Sequence, residues 1–368
     1  MKAKVLGAGS IGNHLSNALR LLGHDVVLCD VDPAALQRTR NDIYPMRYGR
    51  WDDAIELCLA GDAPRGGFDL IIVGTPPDSH IELARRTLEE SPRAILIEKP
   101  ACTPSLEGIG EFLAEAKARG CRLFVGYDHV VGGAAKRFSE FAKQGGAGEV
   151  ETLDVEFREH WGGIFAAHPW LAGPSDSYLG FWRRGGGAAG EHSHAFNLWQ
   201  HFAHEMGMGR VGKVAATVDY LQADGADYDR LCLANLVTER GLVGRVVQDV
   251  VTRPSRKWAR MQGSDGYIEW HCGYEPGKDA IVLGRQGQDP VVETISKTRP
   301  DDFVLELKHI FAVMDGQLDA DDLSVERGLD TMMVIAAAHK SSQQGRAVSI
   351  DWSKAYSPAA LGDGDGRE

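Results

Sequence analysis

From residue 3 to about residue 125, short apolar runs alternate with segments whose apolar positions recur every 3.6 residues or so, which is how a parallel, doubly wound sheet is written. The pattern predicts strands at AKVL (3–6), DVVLC (25–29), DLIIVG (69–74), AILIE (94–98) and RLFVG (122–126), with amphipathic helices such as IGNHLSNALRLLG and SHIELARRTLEE between them. Gly23 and Gly120 stand where helix C-caps are expected.

After Gly126 the alternation stops. A helical stretch at about 134–144 gives way to period-two strands: EVETLDVEFREHW (149–161), RVGKVAATVDYL (210–221), a hairpin over 230–252 turning at Glu239–Gly241, then YIEWHC and AIVLGR. Two helices, DDFVLELKHIFAVMDG and SVERGLDTMMVIAAAHKSSQQG, follow. The expected organisation is an α/β domain over 1–126, an α+β domain with a mostly antiparallel sheet over 127–352, and a tail over 353–368. The tail has no apolar face and is expected to be disordered.

A chain of 368 residues suits two domains. Its net charge of −12, with no basic stripe, excludes the footprint of a nucleic-acid binder. MKAKVLGAG runs straight into glycines, without a signal-like apolar core or a run of about 20 apolar residues. The expectation is a cytoplasmic protein without a membrane partner. Six scattered cysteines without a CxxC pair read as reduced, buried thiols.

GAGSIG (Gly7 to Gly12) follows a strand, opens a helix and precedes Asp30 at the end of the next strand, 18 residues after Gly12. That is the full dinucleotide-binding context. Gly7 permits the turn, Gly9 lets a pyrophosphate approach, and Gly12 lets the helix pack on the strand. Phosphates then meet the helix N-terminus at Ser10 and Ile11. Asp30 suits both ribose hydroxyls and repels a 2′-phosphate, so NAD is expected over NADP; the bland alternative is a glycine-rich turn with no ligand. TPPDSH places Thr75, Pro76 and His80 beside the same crevice, with Asp78 or Ser79 as alternative helix caps. EKP (Glu98, Lys99, Pro100) ends the fourth of these strands and points a lysine into the crevice.

GGGAAGEHSHAFN (185–197) packs Glu191, His192 and His194 behind three glycines. Read as one helix from about 191, it puts His194, Asn197 and His201 on one face with Glu191 at its edge. Histidines seven apart on a helix lie about 10 Å apart, so His194 and His201 cannot share an ion. No metal is expected. Proton transfer needs one imidazole and a polar neighbour, which His194 with Glu191 supplies; His192, His201 and His204 read as structural histidines.

GAGSIG, TPPDSH, EKP, GYD at 126–128, GGGAAGEHSHAFN and the ending AHKSSQQGRAVSI (338–350) together resemble the Gfo/Idh/MocA family of NAD(P)-dependent oxidoreductases, in order and spacing, to about residue 350. The resemblance implies a Rossmann domain followed by a domain with an open sheet that often mediates oligomers, so a homodimer or homotetramer is expected. It implies that Lys99 meets His194 and Glu191, with His194 as the base that takes a hydroxyl proton. Asp128 and His129 stand where many relatives have Asn and Arg, and Asn197 where many have Asp.

Other residues that could line a substrate pocket are Asp128, Arg158, Trp161, Trp182, Arg183 and Asn197, the arginines suiting an anionic substrate and the aromatics a sugar face. The loop 166–182 reads as a lid or an oligomer contact. The leading expectation is an NAD-dependent dehydrogenase acting on a secondary alcohol of a sugar, sugar derivative or cyclitol. Its alternatives are an NAD-retaining glycosidase or lyase, and a non-catalytic sugar or dinucleotide sensor.

Overall fold

The structure is a computed structural model and describes residues 1–166, 168–318 and 322–363. The chain forms two compact units, the first from Met1–Cys102, Gly108–Asp128 and Arg299–Val325, the second from Thr103–Glu107, His129–Thr298 and Glu326–Glu368.

In the first unit, six parallel strands, β1 (Lys2–Leu6), β2 (Asp25–Asp30), β3 (Ile55–Leu59), β4 (Leu70–Val73), β5 (Ala94–Ile97) and β6 (Arg122–Val125), lie in the order β3-β2-β1-β4-β5-β6. The helices are α1 (Ser10–Leu21), α2 (Pro33–Arg38), α3 (Tyr44–Tyr48), α4 (His80–Thr87) and α5 (Ile109–Ala118). Every residue of β4 and β5 is buried, as continuous apolar runs in a covered parallel sheet require. The chain leaves β1 toward β2 on one side and returns as β4 on the other, so the loops after β1 and β4 diverge at the switch point where such sheets bind ligands. Strand β3 lies outside the expected set. It is an edge strand, exposed at Glu56, and lacks the full apolar run of its neighbours.

Arg299–Val325 also belongs to this unit, although the sequence pattern groups it with the second domain. The helix α10 (Arg299–Met314) packs on α1, with Phe303 stacked on His14 at 4.8 Å and Phe311 edge-on to His24 at 4.7 Å. Arg93 donates to the carbonyl of Met314 at 3.2 Å, and Val125 N–H to the carbonyl of Leu323 at 2.8 Å.

The second unit is built on ten strands: β7 (Val150–Arg158), β8 (Val211–Ala223), β9 (Ala226–Thr238), β10 (Val243–Asp249), β11 (Arg256–Gly263), β12 (Gly266–Glu275), β13 (Lys278–Arg285), β14 (Val291–Ser296), β15 (Val348–Ile350) and β16 (Leu361–Asp363). Their order is β14-β13-β12-β11-β7-β10-β9-β8-β15-β16, antiparallel throughout except for the parallel pair of β7 with β10. Helices α6 (Gly133–Lys143), α7 (Trp161–Ala166), α8 (Gly187–Glu191), α9 (His194–Glu205) and α11 (Val325–Gln344) complete it, α11 from Glu326 onward. Trp199 of α9 is fully buried and donates its indole N–H to the carbonyl of Leu153 at 2.7 Å, which pins the helix to the sheet.

The tail departs from the expected disorder as far as Asp363; residues 364–368 lie outside the described residues. Leu361 and Ala360 are buried, β16 pairs with β15, and Arg210 lies 3.7 Å over the Trp352 ring, so a few well-placed apolar groups order a segment without an amphipathic pattern. All six cysteines are free, Cys29, Cys102 and Cys232 buried and the other three half-buried. Among the described residues no helix is long and apolar enough to cross a membrane.

Candidate active site

In the first unit, Gly7 adopts φ +103°, and a Cβ there would meet the Gly74 carbonyl oxygen at 2.5 Å. A Cβ on Gly12 would lie 1.9 Å from the Gly7 oxygen, so both positions admit only glycine. Gly9 differs: a Cβ on it would meet nothing within 4 Å. The backbone there faces open space, at the start of a helix that no side chain caps, beside the N–H groups of Ser10 and Ile11. This is the cradle a pyrophosphate needs. Asp30 holds the turn from below, accepting from Ala8 N–H at 2.7 Å through Oδ2 and from Asp32 N–H at 2.9 Å through Oδ1. Each carboxylate oxygen keeps a lone pair for a ribose hydroxyl.

The TPPDSH loop follows β4. Thr75 Oγ1 and Ser79 Oγ are 2.7 Å apart, and Ser79 also donates to the Pro76 carbonyl. That hydroxyl makes no helix cap. His80, expected to touch a cofactor, is fully buried, its Nε2 at 2.6 Å from the Thr75 carbonyl and its Nδ1 at 3.0 Å from that of Pro100. Burial pushes the imidazole down to about 4. His80 thus ties the Thr75 loop to the EKP loop, where the Lys99–Pro100 bond is cis. Glu98 is buried too, and burial with the charge of Asp128 pushes its carboxyl up to about 8 against the pull of Lys99 and Arg299.

In the second unit the glycine run is a steric requirement. Gly185 and Gly187 have φ +89° and +75°, and a Cβ on Gly186 would lie 2.1 Å from the Tyr178 oxygen. One on Gly187 would lie 1.9 Å from Asp229 Oδ1. Asp229, fully buried, accepts from Ala189 N–H at 2.7 Å and so anchors the first turn of α8. A bulge between β8 and β9 turns it inward beside Tyr228, which plain alternation along β9 does not suggest. Burial pushes the Asp229 carboxyl up to about 8.

The segment from 191 departs from the single helix expected. Helix α8 ends at Glu191, the chain breaks at His192 and Ser193, and α9 starts at His194. The break is held by the His192 carbonyl, which accepts from Gln248 Nε2 and from Ala195 N–H. Glu191 and His194 therefore sit on different helices. The His194 ring meets that of His129 edge-on, centroids 4.6 Å apart, over a floor of Phe157 and Trp270 stacked at 5.9 Å.

Residues 1–127 match the Gfo/Idh/MocA family model, described as an oxidoreductase family with an NAD-binding Rossmann fold. Over those residues the N-terminal domain is similar to the Gfo/Idh/MocA oxidoreductases. It is an NAD-binding domain. No curated protein matches the chain in sequence. Among solved structures, a levoglucosan dehydrogenase in complex with NADH and levoglucosan is similar at TM-score 0.75 and 16% identity, covering 95% of this chain and 99% of that one. A protein described as a putative myo-inositol dehydrogenase from Sinorhizobium meliloti follows at 0.70 and 21%, covering 95% and 99%. The aldose-aldose oxidoreductase of Caulobacter crescentus stands at 0.74 and 17%, with the same coverage. These show that both units together have the fold of such proteins.

In the second unit, several of the residues expected to line a substrate pocket have partners of their own. Arg158 donates to the buried Asp249 at 2.6 Å. Burial alone would raise the Asp249 carboxyl, but Arg158 and Thr252 outweigh it and hold it below the ordinary carboxylate range. Arg183 is paired with Asp227 at 2.7 Å, and Trp182 stacks on His339 at 4.6 Å. Trp161 is part of a buried cluster with Ile164, Leu179, Tyr228 and Val250. Leu179 also anchors the 166–182 loop there, Ala167 lying outside the described residues. Asn197 is buried and donates to Thr331 Oγ1 at 3.1 Å. His194 lies against His129, to which the sequence assigns no role.

Proposed function

We propose that the protein is an NAD-dependent dehydrogenase that oxidises a secondary alcohol of a sugar, sugar derivative or cyclitol. The observation that carries the reading is the open space at Gly9 beside Asp30, a cradle shaped for a dinucleotide with free ribose hydroxyls. The carboxylate of Asp30 favours NAD over NADP. The substrate class draws its support from the three similar proteins, whose names are those of enzymes of levoglucosan, inositol and aldoses.

When bound, NAD+ supplies the hydride acceptor. His194 takes the hydroxyl proton, and the ammonium of Lys99 donates to the oxygen as negative charge develops on it. Glu191, at the end of α8, orients the segment that carries His194. With Arg158 and Arg183 paired to carboxylates, the reading favours a neutral substrate over an anionic one. The protein would work in the cytoplasm as a homo-oligomer whose contact includes the exposed Leu233 and Val243 of the large sheet.

The test is a panel of sugars, sugar acids, cyclitols and glycosides with NAD+, followed by nicotinamide absorbance and product analysis. Net NADH with a keto product is expected from at least one neutral polyol. Glycosidic cleavage without net NADH, or no response to any member, would overturn it.

A further inference from the structure

Gly126, just past the end of β6, has no side chain, and two carboxylates fill the space. Glu98 Oε1 lies 2.6 Å and Glu306 Oε1 3.1 Å from the position its Cβ would occupy. Glu98 comes from the end of β5 and Glu306 from α10, and both are almost completely buried. Asp128 and Asp302, also buried, face Glu306 with further negative charge, while Lys99 and Arg299 are the cations acting on Glu98. Glu306 Oε1 has no hydrogen-bond partner among the described residues.

Two buried carboxylates converging on one point resist ionising together, because burial and their mutual repulsion both favour the neutral form of one of them. A single proton resolves it. The neutral partner donates an O–H to the ionised one, which also supplies the partner that Glu306 otherwise lacks. Burial and the neighbouring acids push the Glu306 carboxyl well above the ordinary carboxylate range, in agreement with that arrangement.

We propose that Glu98 and Glu306 hold one proton between them, and that Glu306 is thereby a positioning residue for the lysine-bearing end of β5. Glu98 Oε2 accepts from the backbone N–H of Lys99 at 3.3 Å, so a fixed Glu98 carboxyl fixes the backbone from which Lys99 projects. No bond other than this hydrogen bond forms, and above the upper titration step the shared proton passes to solvent. The functional weight of the inference rests on the proposed dehydrogenase reading; the proton-sharing itself does not.

The test follows carboxyl 13C resonances of glutamate-labelled full-length protein, and the 15N–H resonance of Lys99, between about pH 5 and pH 10. Two glutamate carboxyls are expected to titrate together in two separated steps, with the Lys99 amide following the upper one. In Glu306→Gln the upper step disappears, Glu98 titrates at lower pH, and the Lys99 amide stops responding in the alkaline range. Ionisation of both carboxyls below pH 6 in the unsubstituted protein would overturn the shared proton. A Lys99 amide that titrates identically in the variant would overturn the positioning role. NAD+ affinity is measured on the same samples: absence of binding at every pH defeats the cofactor reading while the resonances still decide the pair.

Discussion

Asp229 Oδ1 lies 1.9 Å from the point a Cβ on Gly187 would occupy, while its Oδ2 accepts from Ala189 N–H at 2.7 Å. The carboxylate and the missing side chain are therefore one device that seats the start of α8, the one short helix before His194. Gly187→Ala should cost about 2 kcal/mol or more through a strained positive φ and this overlap. A melting point lower by several degrees with depressed turnover is expected; an unchanged melting point would contradict the packing described.

The same aspartate ties stability to pH. Its carboxyl is pushed up to about 8 in the fold, whereas an unfolded chain leaves it near about 3.9. Between those values the folded state holds the extra proton, so its contribution is present below about pH 4 and is lost as pH rises through about 8. Urea midpoints measured from pH 5 to pH 9 should fall less steeply in Asp229→Asn than in the unsubstituted protein. Parallel curves would show that Asp229 is ionised throughout.

Gly9 separates binding from folding. Because a methyl group there meets nothing within 4 Å, Gly9→Ala should melt with the unsubstituted protein yet bind NAD+ at least about tenfold more weakly, as the methyl intrudes on the phosphates. Asp30→Ser should weaken NAD+ by about tenfold to a hundredfold, the range of lost charge-assisted hydrogen bonds, and narrow the preference over NADP+. Nucleotide titrations monitored by protein fluorescence decide both; equal affinity in Gly9→Ala would place the phosphates elsewhere.

His194→Gln should lower kcat by about a hundredfold to ten-thousandfold with NAD+ affinity intact, as removal of a general base does. His129→Phe keeps an aromatic edge against the His194 ring and should retain most of the turnover, whereas His129→Ala should lose more. If His129→Phe is as damaging as His194→Gln, His129 acts through its nitrogens rather than its packing.

How much of this is legible in the sequence depends on whether a residue's role is local. The glycines at 7, 9 and 12 and the aspartate at 30 lie within one strand-turn-helix-strand unit, and spacing alone locates them. Strand β3 escapes the pattern because an edge strand needs no full apolar run. The histidine segment is misread as one helix because its break depends on Gln248, more than fifty residues away in sequence, gripping the His192 carbonyl. Asp229 escapes because a bulge inverts the alternation that would assign its face. Arg158, Trp161 and Asn197 look available on their own; each is taken by a partner from a distant strand or helix, Asp249, Tyr228 and Thr331 in turn.

The return of Arg299–Val325 to the first unit sets an order of events during synthesis. A ribosome that has released the six parallel strands has not yet made Phe303, Phe311 or Glu306, and the whole large sheet up to β14 must emerge before they can dock. Until then His14 of α1 and His24 in the turn after it lack the rings of Phe303 and Phe311, and the nascent Rossmann strands wait on a loop closure spanning most of the second unit. A fragment ending after residue 128 would therefore be an unfinished nucleotide-binding domain.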